Sequence, residues 1–291
     1  MTALPAISYR ILSPSDFTAL HRGFLSAFST YPANVQPSPD DLRLRFKRIG
    51  LDYHLSVGAF AGEEIVGFIL TGRGGFKGVP TAYNAGTGVH PDYRRQGIAR
   101  DLYQFLFPEL KKQGLGQCLL EVIEDNTPAL SFYESLGFEK VRLLRCYANP
   151  DKLRASPEYF LPEPINIREV SLPDWISYEQ LGRLQPSWQN TPLAVERVRQ
   201  HEVVLEAYWQ TDLIGFIIFS PDNGRISQLA VLKDYRQKGI GRALLFKAQQ
   251  RSQQRLSILN VGEEHKSTGR FFQHLGFRKP FSQWEMKLDL Y

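Results

Sequence analysis

Two stretches of this chain place arginine, glutamine or lysine, and glycine directly before an apolar helical pattern. They are YRRQGIARDL, from Tyr93 to Leu102, and YRQKGIGRAL, from Tyr235 to Leu244. The first turn of a helix carries main-chain amides without an intrahelical acceptor, and it carries the positive end of the helix dipole. Glycine lets an anion approach the backbone, and the cationic side chains add charge and donors. Such a junction is a phosphate cradle. It is not a Walker-type loop, because no G-x-x-x-x-G-K-[ST] occurs. Nor is it a dinucleotide fingerprint, which needs three spaced glycines after a first strand. One such turn alone is equally well a solvated basic loop. Two in the same context speak first for a shared architecture.

The repeat reaches beyond the turns. IVGFIL at 65–70 has a counterpart in LIGFII at 213–218, and FYESLGF at 132–138 in FFQHLGF at 271–277. Three landmarks in one order mean two copies of one unit, with period far too long for a solenoid. The spacing drifts because GRGGFKGVP at 72–80 is longer than SPDN at 220–223, read as a difference in loop length.

Each copy opens on a strand, at 7–12 and 165–170, and continues through helices at about 15–28 and 38–49 in the first copy. Ser13 or Ser15 caps the former, and Ser38 followed by Pro39 opens the latter. Hairpins follow at 54–60 with 64–72 and at 203–209 with 213–219, then a third strand at 81–90 or 225–232 that delivers the chain to the basic turn. The next helix buries Ile98, Leu102, Phe105, Leu106 and Leu110 in one copy and Ile240, Leu244, Leu245 and Ala248 in the other. A strand at 117–123 or 256–261 precedes a last helix, whose end is marked by Gly137 or Gly276. Residues 151–164, rich in proline, read as a connector between an N-terminal domain at 1–150 and a C-terminal domain at 165–291. The fold class is mixed α/β.

With 43% hydrophobic and 22% charged residues, the composition supports ordinary globular cores. No apolar run approaches the roughly 20 residues needed to cross a bilayer, and the first residues show no secretory pattern. Cys118 and Cys146 fit no metal spacing, so neither a metal nor a disulfide is expected, and a reduced cytoplasmic setting is. A net charge of +5 suits a phosphate-bearing ligand without forming the dense basic face of a nucleic-acid binder.

VHPDYRRQGIARDL and AVLKDYRQKGIGRAL resemble the acyl-CoA motif of the GNAT superfamily of N-acetyltransferases, Arg/Gln-x-x-Gly-x-Gly/Ala. Arg94, Gly97 and Ala99 match in the first copy, and Arg236, Gly239 and Gly241 in the second. NTPALSFYESLGF at 126–138 resembles the family's later motif. The resemblance covers nearly the whole chain as two tandem domains, each a splayed mixed sheet flanked by helices. It implies acetyl-CoA as co-substrate, with pantetheine beside the open strand edge at Val89, or at Leu229 and Val231. The diphosphate then meets the amides of Arg95, Gln96, Gly97, Ile98, Ala99 and Arg100, or of Gln237, Lys238, Gly239, Ile240, Gly241 and Arg242. Asn126 helps hold the CoA arm.

The reaction so implied is direct acetyl transfer to a primary amine, of a small molecule or a peptide, in a ternary complex. An alkylamine with pKa near ~10.4 must lose a proton, and a thiolate like that of cysteine, pKa about 8.5, leaves better when protonated. The resemblance assigns the second task to Tyr133. For the base, Glu121, Glu124 and an ordered water stay open, as do His54 and His90. Tyr83, Asn84, Tyr31 and Phe24 are candidates for the acceptor side. The second copy has Phe272 where the first has Tyr133, and His265 in place of Asn126, so the first half is expected to catalyse. Two other readings stand beside this one: a CoA-binding scaffold without turnover, and an aminoacyl-tRNA-dependent transferase, which the intact turns disfavour. Trp175, Trp188 and Trp209 read as core or interface residues.

Overall fold

The computed structural model describes residues 6–30, 36–153, 164–182 and 185–291. In chain order the elements are β1 (Ile7–Ile11), α1 (Phe17–Ala27), α2 (Pro39–Ile49), β2 (Val57–Ala61), β3 (Glu64–Phe76), β4 (Val79–Val89), α3 (Ile98–Lys112), β5 (Gln117–Ile123), α4 (Thr127–Ser135) and β6 (Glu139–Ala148). There follow β7 (Ile165–Val170), α5 (Trp175–Gln180), α6 (Pro192–Arg197), β8 (Val203–Trp209), β9 (Asp212–Phe219), β10 (Arg225–Val231), α7 (Ile240–Arg251), β11 (Ser257–Gly262), α8 (Lys266–His274) and β12 (Ser282–Asp289). The expected connector falls largely on 154–163, and Tyr31 on 31–35, both outside the described residues.

Contacts divide the chain into two units. The first comprises the chain up to Val122, Pro128–Val141 and Glu285–Tyr291; the second comprises Ile123–Thr127 and Arg142–Trp284. The first unit therefore takes its last strand from the far end of the sequence. Its strands run β1-β2-β3-β4-β5-β12, and those of the second run β6-β11-β10-β9-β8-β7. Only β4 with β5 and β10 with β11 are parallel among the pairings described.

In the first unit, α1 buries Phe17, Leu20, Phe24 and Ala27, the stripe that a helical period demands. Phe24 stacks on Phe68 of β3 at 5.9 Å. A side chain at the adjacent Gly67 would point the other way, into Ile98 and Leu102 of α3. So α1 and α3 cover opposite faces of this sheet. Ser38 caps α2 by accepting from the Asp41 amide at 3.2 Å, and Gly50 ends the helix in the left-handed region at φ 68°. Gly137 and Gly276, expected at helix ends, have φ 92° and 82°.

Two expectations are corrected. The extra residues at 72–80 are not loop but strand: β3 and β4 stay paired out to Phe76 and Val79, joined by Lys77 and Gly78 at φ 52° and 80°. Two successive positive φ values give the hairpin turn whose twist matches its strands. On α3, Phe105 is 39% exposed, while Tyr103 is fully buried beside Leu102, Leu106 and Leu110. Phe105 lies one heptad after Ile98, and a drift of ~20° per heptad carries it past the edge of the buried stripe.

Candidate active site

After Val89 the chain makes a short turn at Pro91–Tyr93, Arg94 is extended at φ −69° and ψ 158°, and Arg95 and Gly97 take φ 61° and 86° before α3 begins. The second unit repeats this geometry, with Arg236 at φ −68° and ψ 159°, Gln237 at φ 63° and Gly239 at φ 83°. Alternating hands of this kind turn successive amides toward one point and make an anion-binding nest. Arg95 and Gln237 hold left-handed conformations that disfavour a side chain by roughly 1–2 kcal/mol. The first amides bonded back into α3 are those of Arg100 and Asp101, both to the Gly97 carbonyl, which leaves those of Ile98 and Ala99 at the helix mouth. A Cβ on Gly97 or Gly239 would meet nothing within 4 Å. Backbone conformation, not crowding, thus requires these glycines, and the space in front of each is open. The junctions fit a diphosphate.

The side chains of the turn have divided duties. Arg94 folds back: its Nε donates to the Val89 carbonyl at 3.2 Å, Nη1 to Thr30 Oγ1 at 3.0 Å and Nη2 to the Ala27 carbonyl at 2.9 Å. Arg236 Nε likewise donates to the Val231 carbonyl at 2.9 Å. Both arginines pin the turn to the strand before it. Gln96 Nε2 donates to the Asp92 carbonyl at 3.1 Å and Arg100 Nη2 to Ser135 Oγ at 2.8 Å. Arg95, Gln237 and Lys238 are exposed, Ala99 and Arg242 are half-buried, and Ile98 and Ile240 are core residues that offer only their amides. A Cβ on Gly241 would come within 3.1 Å of the Phe271 ring, which would have to give by a few tenths of an ångström to admit it. Asn126 is half-buried, with its amide bonded to the Ile123 carbonyl.

The strand edge opens where a ligand arm needs it. The β4–β5 ladder runs from Thr81 opposite Gln117 to Asn84 opposite Leu120 and, among the described residues, goes no further. Residues 86–89, Val89 among them, therefore pair on one side only, with β3. In the second unit the β10–β11 ladder covers only Arg225 opposite Ser257 and Ile226 opposite Ile258, so Leu229 and Val231 likewise lie past its end. A bulge interrupts β4 between Asn84 and Gly86. It reverses the alternation, so that Asn84 and Thr87, three apart, both face α3.

At the apex of this opening sit four polar side chains. Asn84 Oδ1 accepts from the Gly86 amide at 2.9 Å, and its Nδ2 donates to Thr87 Oγ1 at 2.9 Å and to the Tyr103 hydroxyl. Thr87 Oγ1 lies 3.3 Å from the Tyr103 hydroxyl. The Tyr133 ring meets that of Tyr103 edge-on at 6.2 Å and brings its hydroxyl in beside this group. Burial raises the Tyr133 phenol above its usual range, while the bonds from Thr87, Tyr103 and Asn84 pull it back down. Burial raises Tyr103 well above its usual value. The neighbouring Cys118 thiol is pushed up to about 12 by burial, which keeps it neutral.

Glu121 alternates with Leu120 along β5 and so faces away from Cys118 and the phenol cluster. Its Oε2 accepts from the Tyr83 hydroxyl at 2.7 Å. The sheet thus carries a carboxylate on one face and a buried phenol on the other, at the point where β4 and β5 part. The other candidate bases are engaged elsewhere. Glu124 pairs with Arg145 at 3.1 Å, and His90 Nδ1 accepts from the Asp92 amide at 3.2 Å. His54 is exposed at a turn, Phe24 belongs to the core, and Asn84 faces α3. Trp188 is buried, while Trp175 Nε1 donates to Glu196 at 2.7 Å and Trp209 lies against Tyr235.

Thr87 and Tyr103 escaped the sequence reading. The signal was there in the comparison of the two copies. Asn84 stands opposite Thr71 as Ile226 does opposite Phe219, and Thr87 opposite Ile69 as Leu229 does opposite Ile217. Tyr103 corresponds to Leu245, and Tyr133 to Phe272, which is fully buried and stacks on Tyr147 at 5.7 Å. Every polar member of the first cluster is apolar in the second.

A strand that parts from its parallel neighbour and ends at a helix mouth shaped as an anion nest, twice in one chain, is the tandem architecture that the resemblance implies. Family models agree: residues 20–138 match the acetyltransferase (GNAT) family and residues 176–287 a GNAT acetyltransferase domain, and the chain belongs to this family. The GCN5-related N-acetyltransferase of Sphaerobacter thermophilus shares the fold with a TM-score of 0.75 at 17% identity, over 99% of this chain and 97% of that one. A tandem GNAT protein from the clavulanic acid biosynthesis pathway does so with a TM-score of 0.70 at 16% identity, over 98% and 99%. The [ribosomal protein bS18]-alanine N-acetyltransferase of Escherichia coli (strain K12) is 46% identical over 59 residues, which are 20% of this chain and 40% of that protein. Among the described residues, no helix is long and apolar enough to cross a membrane, and no three His, Cys, Asp or Glu gather as metal ligands would.

Proposed function

We propose that the first unit transfers an acetyl group from acetyl-CoA to a primary amine by direct attack in a ternary complex, and that the second unit is accessory. The observation that carries this reading is the Tyr133 hydroxyl, buried at the apex of an opened strand edge whose strand runs into the Gly97 nest. The nest amides from Arg95 to Ala99 bind the diphosphate, that of Arg100 being taken by the Gly97 carbonyl, and the free edge of β4 near Val89 takes the pantetheine amides. Tyr133 hands its proton to the sulfur as the carbon–sulfur bond breaks. Glu121, held by Tyr83, accepts the proton that the amine must lose, directly or through water. Products are the amide and the free thiol, and Tyr133 regains its proton from solvent.

The second unit, 165–291 by the sequence repeat, keeps the nest but lacks every hydroxyl of the cluster. It holds CoA without turning it over, or supports the first unit. The acceptor is a small-molecule or peptide amine. The name of the Escherichia coli relative, whose substrate is a protein α-amine, favours testing peptides first. The experiment is thiol release from acetyl-CoA across a panel of peptide N-termini, polyamines and amino acids, with calorimetry of acetyl-CoA binding beside it. Binding without release from any amine would favour a CoA-binding scaffold. No binding, together with RNA affinity that falls steeply with salt, would favour an aminoacyl-tRNA-dependent enzyme.

A further inference from the structure

We propose that Tyr103 is a positioning residue for the reaction: a second phenol, on α3, that never touches substrate and sets the proton of Tyr133. The inference rests on the acid role given to Tyr133 above. It starts from the Gly86 amide, which donates to Asn84 Oδ1 at 2.9 Å and so fixes which end of the Asn84 amide faces the cluster. The two Nδ2 protons then point to Thr87 Oγ1 and to the Tyr103 oxygen. Tyr103 is fully buried, so its own proton must stay inside the cluster. Thr87 Oγ1 lies 3.3 Å away and already takes a bond from Asn84, while the Tyr133 ring packs edge-on against that of Tyr103 at 6.2 Å, so we assign the Tyr133 oxygen as its acceptor. With Tyr103 donating to it, Tyr133 presents its own proton outward, toward the opened strand edge. Once that proton moves to the departing sulfur, the Tyr133 oxygen carries the negative charge, and the Tyr103 and Thr87 hydroxyls are in place to donate to it. The β4 bulge is what brings Asn84 and Thr87 to this face together.

The chain contains its own comparison. Where the phenol of Tyr133 is lost, at Phe272, the other three positions are Ile226, Leu229 and Leu245, with no hydroxyl or amide left.

The test is a double-mutant cycle on the full chain, read as kcat and KM for thiol release. Tyr103→Phe keeps the ring and removes the proton. It is expected to lower kcat roughly tenfold, part of the 10²–10⁴ that general acid catalysis supplies, with KM for acetyl-CoA within about twofold. In a Tyr133→Phe background it should have no further effect on kcat, because there is no second phenol to act through. Tyr103→Phe should also move the alkaline limb of the kcat profile upward. If it lowers kcat by the same factor in both backgrounds, or leaves kcat untouched, the inference falls while the acid role stands. If Tyr133→Phe itself retains full activity, the acid role falls first. Thr87→Val, isosteric and on a different element, supplies the same cycle should Tyr103→Phe not fold. Additive behaviour there would equally overturn the proposal.

Discussion

Tyr133 sits where burial and hydrogen bonding pull its acidity in opposite directions, and burial prevails. A phenol so placed stays protonated through neutral pH and past the ordinary tyrosine value of about 10. Tyr133→Phe is therefore expected to lower kcat by roughly 10²–10³-fold with little change in acetyl-CoA affinity, read by thiol release and calorimetry. The raised value also has a consequence for stability. A folded-state pKa above the unfolded one means the native protein binds that proton more tightly, so this contribution is complete below about pH 10 and is lost as pH rises toward the folded value. Wild-type protein should lose denaturation midpoint above about pH 10 more steeply than Tyr133→Phe. Equal slopes would remove Tyr133 as a buried neutral phenol. On the opposite face, Tyr83→Phe removes the hydroxyl that donates to Glu121 Oε2 at 2.7 Å. The acid limb of the kcat/KM profile should then move upward, because a carboxylate that loses a hydrogen bond to its charged form binds its proton more tightly.

Among the elements, the proposed reading makes the strand–nest–helix junction the determinant of cofactor affinity. Gly97 has φ 86°, and a Cβ there finds open space, so Gly97→Ala strains the backbone without clashing. The strain is about 1–2 kcal/mol if the turn is kept. About tenfold weaker acetyl-CoA binding follows if the turn relaxes instead. Calorimetry on Gly97→Ala checks this, and an unchanged dissociation constant would show that the nest does not grip the ligand. The same change at Gly239, where φ is 83°, should leave turnover unaltered if the first unit alone is catalytic. Arg94 behaves differently from the family expectation of a phosphate ligand. With three donors tied to Val89, Ala27 and Thr30, its replacement by lysine is expected to loosen the turn rather than delete one phosphate contact.

For the molecule as a whole, the boundary read from the repeat and the grouping made by contacts differ at the chain's end. Glu285–Tyr291 belongs with the first unit, where β12 lies beside β5 and the Leu290 amide donates to the Gly116 carbonyl at 3.0 Å. A chain stopped after Trp284 leaves the β5 edge uncovered, and a bare edge invites aggregation. Its first unit should unfold at lower temperature and lose acetyl-CoA binding, although the nest lies far upstream. Residues 1–150 made alone should be insoluble or unfolded for the same reason. A folded, acetyl-CoA-binding fragment 1–150 would show that β12 is dispensable.

What the sequence determined by itself was local and periodic. Apolar spacing set α1 and α3, glycines set the helix ends and both nests, and the repeat set two similar units, because each of these depends on residues a few positions apart. Even so, period alone put Phe105 in the core and missed Tyr103, since the width of a buried stripe is fixed by what packs on it. The sequence named Tyr133 through its motif and left Glu121 without a direction, because strand register is decided across the sheet and not along the strand. Only the tertiary structure could bring Asn84, Thr87, Tyr103 and Tyr133 to one point. That takes a bulge in β4, a helix from one side and a second helix from further along the chain. It also decided which end of the chain closes the first sheet, because an unpaired edge is satisfied by whichever strand reaches it.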